Sequence, residues 1–414
     1  MSLRLPGWIA LVLVSSFPVR AFGQQEGEEP EGGGKKKKHA PLENLVELPA
    51  DYVRYAHLPD GGTQPRLRRD EKGGLVLLFF RSSGAGGDLF LTRSGDDAAT
   101  FAPAVRVNAR EGTVAAAEGQ HQATLGVGPD GRAHVAWVST DSPPALCYAA
   151  EKDGAFGAEL VLGSPPGLGS GAAVTVDKEG RIYVFYAATD ENALPEATAR
   201  NRIWMQRSLD GTTFSVPVGV DKEKHGVSEL SAIAAHADAE QDSLFVLYRV
   251  GFDTPNPDDK MKSRDVRLLS SEDHGESFKS VFVDNWRLTR DPRTVCDLVQ
   301  DATTTLATWE ARGHVYWSAI KRQTNKAGLP YEPRDDEHAF HRERPSVSAN
   351  ERGEVLLAWL ERPEKEPATA PRLKWQIWQK STRGPVGRGS APESEGSSAP
   401  SVLTRADGGF VILY

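Results

Sequence analysis

The chain has few of the features that mark several classes of protein. Its 414 residues include two cysteines, Cys147 and Cys296, which lie in separate apolar stretches. We therefore expect two buried free thiols rather than a disulfide framework. No group of Cys and His has the spacing of metal ligands, and there is no phosphate-binding loop or nucleophile elbow. The sequence thus predicts neither a metal nor a cofactor.

An excess of basic charge and long apolar runs are also missing. The formal net charge is −8 and the basic residues are dispersed, which argues against nucleic acid as a partner. A short apolar run, Trp8–Val19, follows Arg4 and precedes small residues at Ala21–Gly23, the pattern of an export signal cleaved near Gly23. No other stretch reaches membrane-spanning length.

The segment after this run argues against the alternative of a buried N-terminal helix. Residues 24–38 form an acidic block, three glycines and four lysines, with no aliphatic or aromatic side chain to bury. We therefore predict a signal peptide at 1–23, a disordered charged linker at 24–41 and one domain at 42–414. The protein is expected to be exported and not membrane-spanning.

Helical periodicity is lacking too, and 40 glycines and 27 prolines interrupt the chain. In its place, one phrase occurs seven times: a short strand, a tight Asp/Gly or Asn/Gly turn and a strongly apolar strand. Successive turns are about 50–60 residues apart, a repeat length typical of propellers. The copies are Gln64–Phe80, His121–Val138, Ala172–Tyr186, Leu230–Tyr248, Arg293–Trp309, Arg344–Leu360 and Ala399–Tyr414.

The internal order of each copy predicts an all-β fold, a β-propeller of four-stranded blades. In the second copy, weakly apolar Ala123–Val127 precedes the turn Pro129–Gly131, and the β-rich stretch Val135–Trp137 follows it. A third and a fourth strand usually come next, as in Ile203–Arg207 and Val216–Val220. Blades of four strands leave only short protected edges.

Counting strands predicts how the ring closes. The seventh strand pair ends the chain at Tyr414, so the rest of that blade must come from elsewhere. Leu45–Leu48 and Tyr52–Tyr55 are two strand-like runs just before the first pair. We therefore favour seven blades closed by these N-terminal strands. A six-bladed ring, which would leave one pair unplaced, is the alternative.

A second motif lies between the third and fourth strands. Ser271–Phe278 fits the pattern S-x-D-x-G-x-[S/T]-[W/F] at every position, Ser208–Phe214 is one residue short, and Ser94–Phe101 lacks the glycine. The Asp can accept backbone N–H bonds within the turn, Gly permits a positive φ, and the aromatic residue can fill the space between sheets.

These turns resemble the Asp-box, or BNR repeat, of sialidases and related propellers. The resemblance implies a sialidase-like propeller whose boxes are structural and lie opposite the ligand-binding face. It also implies, for an enzyme, three arginines on a substrate carboxylate, an Asp acid/base and a Tyr activated by a Glu. That catalytic set is not matched: the nearest text to the first-blade F-R-I-P motif is Phe79–Ser82, which shares only Phe-Arg.

Propeller topology predicts which residues gather on the ligand-binding face, because first strands begin and second strands end there. Arginines on this rim would bind an anionic or polyhydroxylated ligand and carboxylates would act as acid and base, although charged strand ends also pair with one another. The candidates are Arg66, Arg81, His121, Glu229, Arg249, Arg293, Glu310, Arg344 and Glu361. Arg66, Arg293 and Arg344 have nearly equivalent places in three copies.

The sequence therefore predicts an exported propeller that binds a glycan or another anionic extracellular ligand on this rim, with hydrolysis left open. The alternative is a non-catalytic scaffold that binds a protein partner. A rim with an open pocket and an unpaired carboxylate facing a cluster of arginines would favour the first hypothesis, and a rim whose carboxylates are all in ion pairs would favour the second. Four tryptophans on third strands, Trp204, Trp317, Trp375 and Trp378, are expected to pack between blades.

Overall fold

Seven β-sheets arranged around an axis form a β-propeller, as the sequence predicts. The computed structural model describes residues 45–84, 86–116, 123–169, 171–190, 201–221, 227–238, 242–252, 262–288, 296–300, 304–321, 324–333, 340–380 and 384–414. Within these ranges there are 29 strands and one 3₁₀ turn, Pro59–Gly61. No helix in these ranges has the length and hydrophobicity needed to cross a bilayer.

The chain builds the blades in order, and each sheet places its first strand next to the axis. After β1 (Val53–Ala56), the first blade has β2 (Thr63–Arg69), β3 (Leu75–Ser83), β4 (Gly86–Ser94), β5 (Val105–Arg106) and β6 (Val114–Ala115). The second has β7 (Ala123–Val127), β8 (Ala133–Val138), β9 (Leu146–Lys152), β10 (Ala155–Phe156) and β11 (Leu160–Gly163). The third has β12 (Ala172–Val176), β13 (Ile182–Thr189), β14 (Asn201–Ser208) and β15 (Val218–Gly219).

The later blades repeat this plan. The fourth has β16 (Val227–Asp238), β17 (Ser243–Phe252), β18 (Lys262–Ser271) and β19 (Lys279–Leu288). The fifth has β20 (Asp297–Gln300), β21 (Thr305–Ala311), β22 (His314–Lys321) and β23 (Lys326–Ala327). The sixth has β24 (Phe340–Ala349), β25 (Glu354–Pro363), β26 (Arg372–Gln379) and β27 (Gly384–Ser390), and the seventh has β28 (Ser401–Thr404) and β29 (Phe410–Leu413).

Apolar side chains fill the gaps between neighbouring blades. The described residues form seven buried clusters, one in each gap, including the gap between the seventh and first blades. First strands contact one another around the axis, and β28 contacts β2, so the ring is closed with seven blades rather than six. Cys147 and Cys296 are buried free thiols, as predicted.

Ring closure differs in one detail from the prediction. Strand β1 joins the seventh blade and pairs in parallel with β29, through Val53–Phe410 to Ala56–Leu413. Leu45–Leu48 is not a strand of that blade. Instead the Val46 N–H donates to the Val386 carbonyl oxygen at 2.9 Å, and Leu48 lies against Gly387 of the sixth blade, where a Cβ would come within 2.5 Å of it.

The three turns that resemble the Asp-box, called Asp-box turns below, have the geometry expected from the motif. The Asp273 carboxylate accepts hydrogen bonds from the Ser277 N–H at 2.9 Å, the Ser277 hydroxyl at 2.6 Å and the Ser271 hydroxyl at 2.8 Å. Asp96 accepts the same three hydrogen bonds in its turn. Asp210 accepts from the Ser208 hydroxyl and from the N–H groups of Thr212 and Thr213. The box aromatics Phe278, Phe214 and Phe101 pack into the gap before their own blade.

Antiparallel pairing gives the propeller two distinct faces. We call the face where first strands begin and second strands end the upper face. The lower face carries the turns between first and second strands and the Asp-box turns. The upper face is the one on which the sequence predicts the ligand-binding rim.

Candidate functional site

The nine predicted rim residues have different environments. His121 and Arg293 lie outside the described residues, and Glu229 is described only through its backbone in β16, where it pairs with Gly251. Arg81 is exposed at the end of β3, with its guanidinium carbon 4.9 Å from the centre of the Phe90 ring. The remaining five residues lie in three places: an ion pair near the axis, a hydrogen-bond network inside one blade, and a cluster on the upper face. They are Arg66, Glu361, Arg249, Glu310 and Arg344.

Arg66 faces the axis, where it is buried against the fifth blade. Its Nη1 lies 3.2 Å from Asp297 Oδ2, and Arg68 Nη2 lies 3.4 Å from Asp297 Oδ1. Burial lowers the pKa of Arg66 to about 10, while the charge of Asp297 opposes that shift. Strands β2 and β20 belong to the first and fifth blades, so this ion pair spans the central channel.

Glu361 is part of a hydrogen-bond network inside the sixth blade. Its Oε2 accepts from Arg342 Nε at 3.0 Å and from the Trp359 indole N–H at 3.1 Å. The side chains of Arg342 and Glu361 are 5% and 9% exposed. The arrangement holds β24, β25 and the buried tryptophan together, so Glu361 has a structural role.

Two residues of this face are polar where other blades are apolar. The strand pairings place Arg249 in β17 and Glu310 in β21 at equivalent positions of adjacent blades. The same position carries Phe80, Val138, Ala187 and Leu360 in the first, second, third and sixth blades. Charged residues are seldom fully buried without a specific reason, so this pair marks the upper face between the fourth, fifth and sixth blades.

Glu310 is held almost entirely away from solvent. It is 1% exposed, the Arg249 guanidinium donates to its backbone carbonyl oxygen, and the backbone N–H of Arg344 interacts with its carboxyl group. Its Oε2 atom is buried and has no hydrogen-bond partner among the described residues. Burial raises the pKa of Glu310 to about 8, an increase opposed by Arg249 and reinforced by Glu343.

Glu343 was not among the predicted residues, although it lies directly before Arg344. Its Oε2 is 3.6 Å from His341 Nε2 and 3.8 Å from Arg362 Nη2, and its side chain is 19% exposed. The hydrogen bond from His341 holds the pKa of this carboxyl below its usual value against the effect of burial, and Arg362 and Arg344 lower it further. Glu310 and Glu343 therefore have opposite tendencies to keep a proton.

A bulge in β24 moves Glu343 and Arg344 out of regular pairing with β25. The pairing of β24 with β25 shifts between Glu343 and Ser346, and Arg344 has φ 55°. Gln64 has the same φ in the matching bulge of β2, so the equivalent of Arg66 is Ser346 rather than Arg344. The predicted equivalence of Arg66 and Arg344 is therefore wrong by two positions. We call Arg249, Glu310, Glu343 and Arg344 the Glu310 cluster.

Two cavities lined by described residues lie on the lower face. One, of about 600 Å³, lies at the turns of the sixth and seventh blades beside Arg69 and Gln300. Another, of about 310 Å³, lies at the first-strand ends of the first four blades and shares those two residues. Arg69 and Arg405 in the larger cavity are ion-paired with Asp97 and Asp407, so their charges are neutralised within the protein.

One group of metal-ligand type also lies on the lower face. Asp177, Glu179 and His274 bring ligand atoms within 4.8 Å of one another. The Arg181 guanidinium contacts all three, at 2.6 Å from Asp177 Oδ2, 2.7 Å from Glu179 Oε2 and 2.6 Å from His274 Nδ1. A side-chain cation already occupies the position that a metal would take.

Of the third-strand tryptophans, Trp317, Trp375 and Trp378 are buried and pack in the gaps between blades, as predicted. Trp204 is half-buried with the Arg202 guanidinium 5.7 Å from its ring centre.

Comparison with known proteins identifies the fold but not a family. No model of a protein family matches the chain, and no curated protein matches it. Among solved structures, the chain is similar to the GH93 α-L-arabinofuranosidase of Fusarium graminearum in complex with arabinobiose. The identity is 14% over 82% of this chain and 97% of that one, with a TM-score of 0.53. A Penicillium chrysogenum α-L-arabinanase complexed with arabinobiose matches at 14% identity over 78% and 94%, with a TM-score of 0.51. At this identity the likeness is one of fold.

Proposed function

We propose that this protein binds a glycan at its upper face and hydrolyses it, with Glu310 as the proton donor. The observation that carries the proposal is the Glu310 carboxyl, which has a pKa of about 8 and a buried oxygen without a partner among the described residues. A carboxyl that keeps its proton at neutral pH can protonate a glycosidic oxygen while the bond breaks. One of its two carboxyl oxygens has no hydrogen-bond partner among the described residues, and Arg249 and Arg344 lie beside the group, which supports one part of the sequence criterion.

Two resemblances bear on the choice of substrate: one is to a sequence motif, and the other is to the fold of solved structures. The Asp-box turns favour sialosides, whereas the similar solved structures are an arabinofuranosidase and an arabinanase. Arg66 and Arg249 are engaged with protein groups, so they do not form the arginine set that sialidases use. A test panel should therefore contain aryl α-L-arabinofuranosides, sialosides and uronides together.

The test compares wild-type protein with the Glu310→Gln variant on this panel. We expect the variant to lose about 10²–10⁴-fold in turnover, the usual contribution of a positioned general acid. Glu364→Gln is the matched control, because Glu364 is exposed on the upper face of the sixth blade. Equal turnover by wild type and Glu310→Gln, or no turnover of any substrate by wild type, would refute the proposal.

A second candidate function is a non-catalytic scaffold. The burial of Arg249 and Glu310 favours it, because their contacts connect the fourth, fifth and sixth blades and would stabilise the ring without any ligand. This hypothesis predicts that Glu310→Gln changes the midpoint of unfolding but has no effect on any reaction. The same variant therefore separates the two functions.

Export also remains a proposal, supported by the N-terminal pattern Arg4, Trp8–Val19 and Ala21–Gly23. Mass spectrometry of the secreted full-length product tests it. A mature N-terminus close after Gly23 is expected, and an intact Met1 on intracellular protein would contradict it.

A further inference from the structure

Two neighbouring turns form a charged wall of the larger cavity on the lower face. One turn joins β24 to β25 in the sixth blade, and the other joins β28 to β29 in the seventh. Both turns lie on the lower face, so this cavity of about 600 Å³ is distinct from the Glu310 cluster on the upper face. What the cavity can bind depends on the charges that these turns present.

The sixth-blade turn fixes the position of Arg352. Asn350 Oδ1 accepts a hydrogen bond from the Arg352 N–H at 3.1 Å, and Gly353 adopts a φ of 76°. The shape of the turn therefore does not depend on the Arg352 side chain. Its guanidinium lies against the seventh blade, where Nη2 donates to the Asp407 carbonyl oxygen at 2.9 Å and a Cβ at Gly408 would come within 3.1 Å of Nη2.

Three arginines line this cavity, and ion pairs neutralise two of them. Arg69 pairs with Asp97 at 2.9 Å, and buried Arg405 pairs with Asp407. Arg352 is exposed and has no ion-pair partner among the described residues. The buried Nε of Arg405 also lacks a hydrogen-bond partner in the described part of the chain. This wall therefore has more donors than acceptors, and its accessible cation is Arg352.

Uncharged polar groups complete the lining. Ser348, Thr404 and Gln300 contribute hydroxyl and amide groups, which both donate and accept hydrogen bonds. The cavity volume is in the range of small-molecule sites, and the smaller cavity of about 310 Å³ adjoins it through Arg69 and Gln300. A bare anion would leave most of this space empty, whereas an anion that carries several hydroxyl groups would fill it.

We propose, independently of the proposed function, that this lower-face cavity binds an acidic sugar, with the uronate carboxylate on Arg352. A guanidinium presents parallel N–H donors that match the two oxygens of a carboxylate. Arg352 is exposed, and its bond to the Asp407 carbonyl oxygen leaves further donors for this contact. No bond of the ligand is broken here, because the site only holds the sugar.

The residue before Arg352 offers an internal contrast of charge. Glu351 lines the same cavity, is exposed and has no ion-pair partner among the residues that the structure describes. Its negative charge should oppose the binding of a carboxylate, which the charge of Arg352 favours. Removal of the two charges should therefore change affinity in opposite directions, which a general effect on folding would not produce.

The experiment is calorimetric titration of the full-length protein with digalacturonate and with its dimethyl ester, which keeps the ring hydroxyls but has no charge. Arg352→Gln should weaken digalacturonate binding about 10–100-fold, the usual effect of losing a hydrogen bond between charged groups. Arg352→Lys keeps the charge without the planar fork and should fall between wild type and Arg352→Gln. Glu351→Gln should strengthen binding about twofold to fivefold.

Arg388→Gln is the matched control for loss of one positive charge. Arg388 is an exposed arginine on the outer strand β27 of the same blade, so its substitution should leave the affinity at the wild-type value. Thermal unfolding shows whether each variant is folded. If Arg352→Gln does not fold, Arg352→Lys and Glu351→Gln provide the same contrast.

Opposite effects of Arg352→Gln and Glu351→Gln, together with weaker binding of the ester than of the acid, are the supporting result. No saturable binding to wild type, equal affinity for acid and ester, or wild-type affinity in Arg352→Gln would overturn the lower-face site. Loss of affinity in both variants would overturn it too. Turnover by Glu310→Gln tests the proposed function separately, so either proposal can fail while the other stands.

Discussion

At the residue scale, Glu310 shows how a core position can carry an ionisable group. Its equivalents in four other blades are apolar, and leaving an ionised carboxylate in such a place would be expensive. The group responds by keeping its proton, because Arg249 and the Arg344 N–H compensate only part of the lost hydration. The stability of the ring should therefore depend on the protonation of this one residue.

Glu310→Gln should remove part of the pH dependence of stability. Burial raises the pKa of Glu310 from 4.5 to about 8, so the folded protein retains a proton that the unfolded chain releases between these values. Wild-type unfolding free energy should fall as pH rises from about 4.5 to 8, by at most about 1.4 kcal/mol for each pH unit from this group. Urea unfolding of both proteins at pH 5 and pH 8 measures the difference, and identical pH dependence would contradict the shift.

What the sequence could not predict at this scale is the direction of side chains beside bulges. Because side chains alternate along a strand, one additional residue reverses which face the following residues occupy. The bulge between Thr63 and Arg66 helps direct Arg66 to the axis instead of the rim, and the bulge in β24 moves Glu343 and Arg344 out of regular pairing with β25. Glu343 had one signal in the sequence, a carboxylate immediately before an Arg-Pro pair at the start of a first strand.

At the element scale, the Asp-box turn keeps its shape when its glycine is lost. In the complete box, His274 and Gly275 have φ of 56° and 82°, and in the degenerate box Asp97 and Ala98 have φ of 55° and 65°. Ser94 and Asp96 make the same hydrogen bonds as Ser271 and Asp273. The hydrogen bonds to the Asp thus determine the turn, and the motif could be recognised from Ser, Asp, Thr and Phe alone.

Asp273→Ala should destabilise the fourth blade by about 1 kcal/mol, since it removes hydrogen bonds from one exposed carboxylate. Those bonds lower the pKa of Asp273 to about 2, so the difference from wild type should be complete above about pH 4 and vanish as pH falls through 2. Chemical unfolding at pH 7 and pH 2.5 tests this. Glu71→Ala, at an exposed residue of the same face, is the control, and an equal effect of both substitutions would argue against the role of the turn.

The strands were predicted more accurately than the ligand-binding residues, because the same pattern of strands and turns recurs from blade to blade. Each repeated phrase corresponds to a first and second strand of the propeller, and their apolar residues fill the gaps between blades. Leu45–Leu48 was assigned wrongly because its apolar pattern also suits an extended segment lying on a sheet edge. The glycine at 387, which accommodates Leu48, could not be connected with it from the sequence.

At the scale of the whole molecule, the ion pair between Arg66 and Asp297 joins opposite sides of the ring. Asp297→Asn should cost about 3–5 kcal/mol, because it leaves a buried guanidinium without its counter-charge. The double variant Asp297→Asn with Arg66→Met should recover much of that loss. A double-mutant cycle by urea unfolding measures the coupling, and additive effects of the two substitutions would show that the pair does not act across the channel.

The N-terminal strand should matter as much as this axial pair, because it completes the blade in which the chain ends. A protein that begins at His57 lacks β1, and with it the pairing to β29 and two largely buried side chains, Tyr52 and Val53, which are 9% and 7% exposed. Burial of two such residues contributes about 3–6 kcal/mol, so its unfolding midpoint should lie well below that of a protein beginning at Leu45. The shorter protein also exposes the edge of β29, which favours strand addition between molecules, so sedimentation should detect self-association. Equal midpoints and a monomeric shorter protein would mean that β28 and β29 hold the ring closed by themselves.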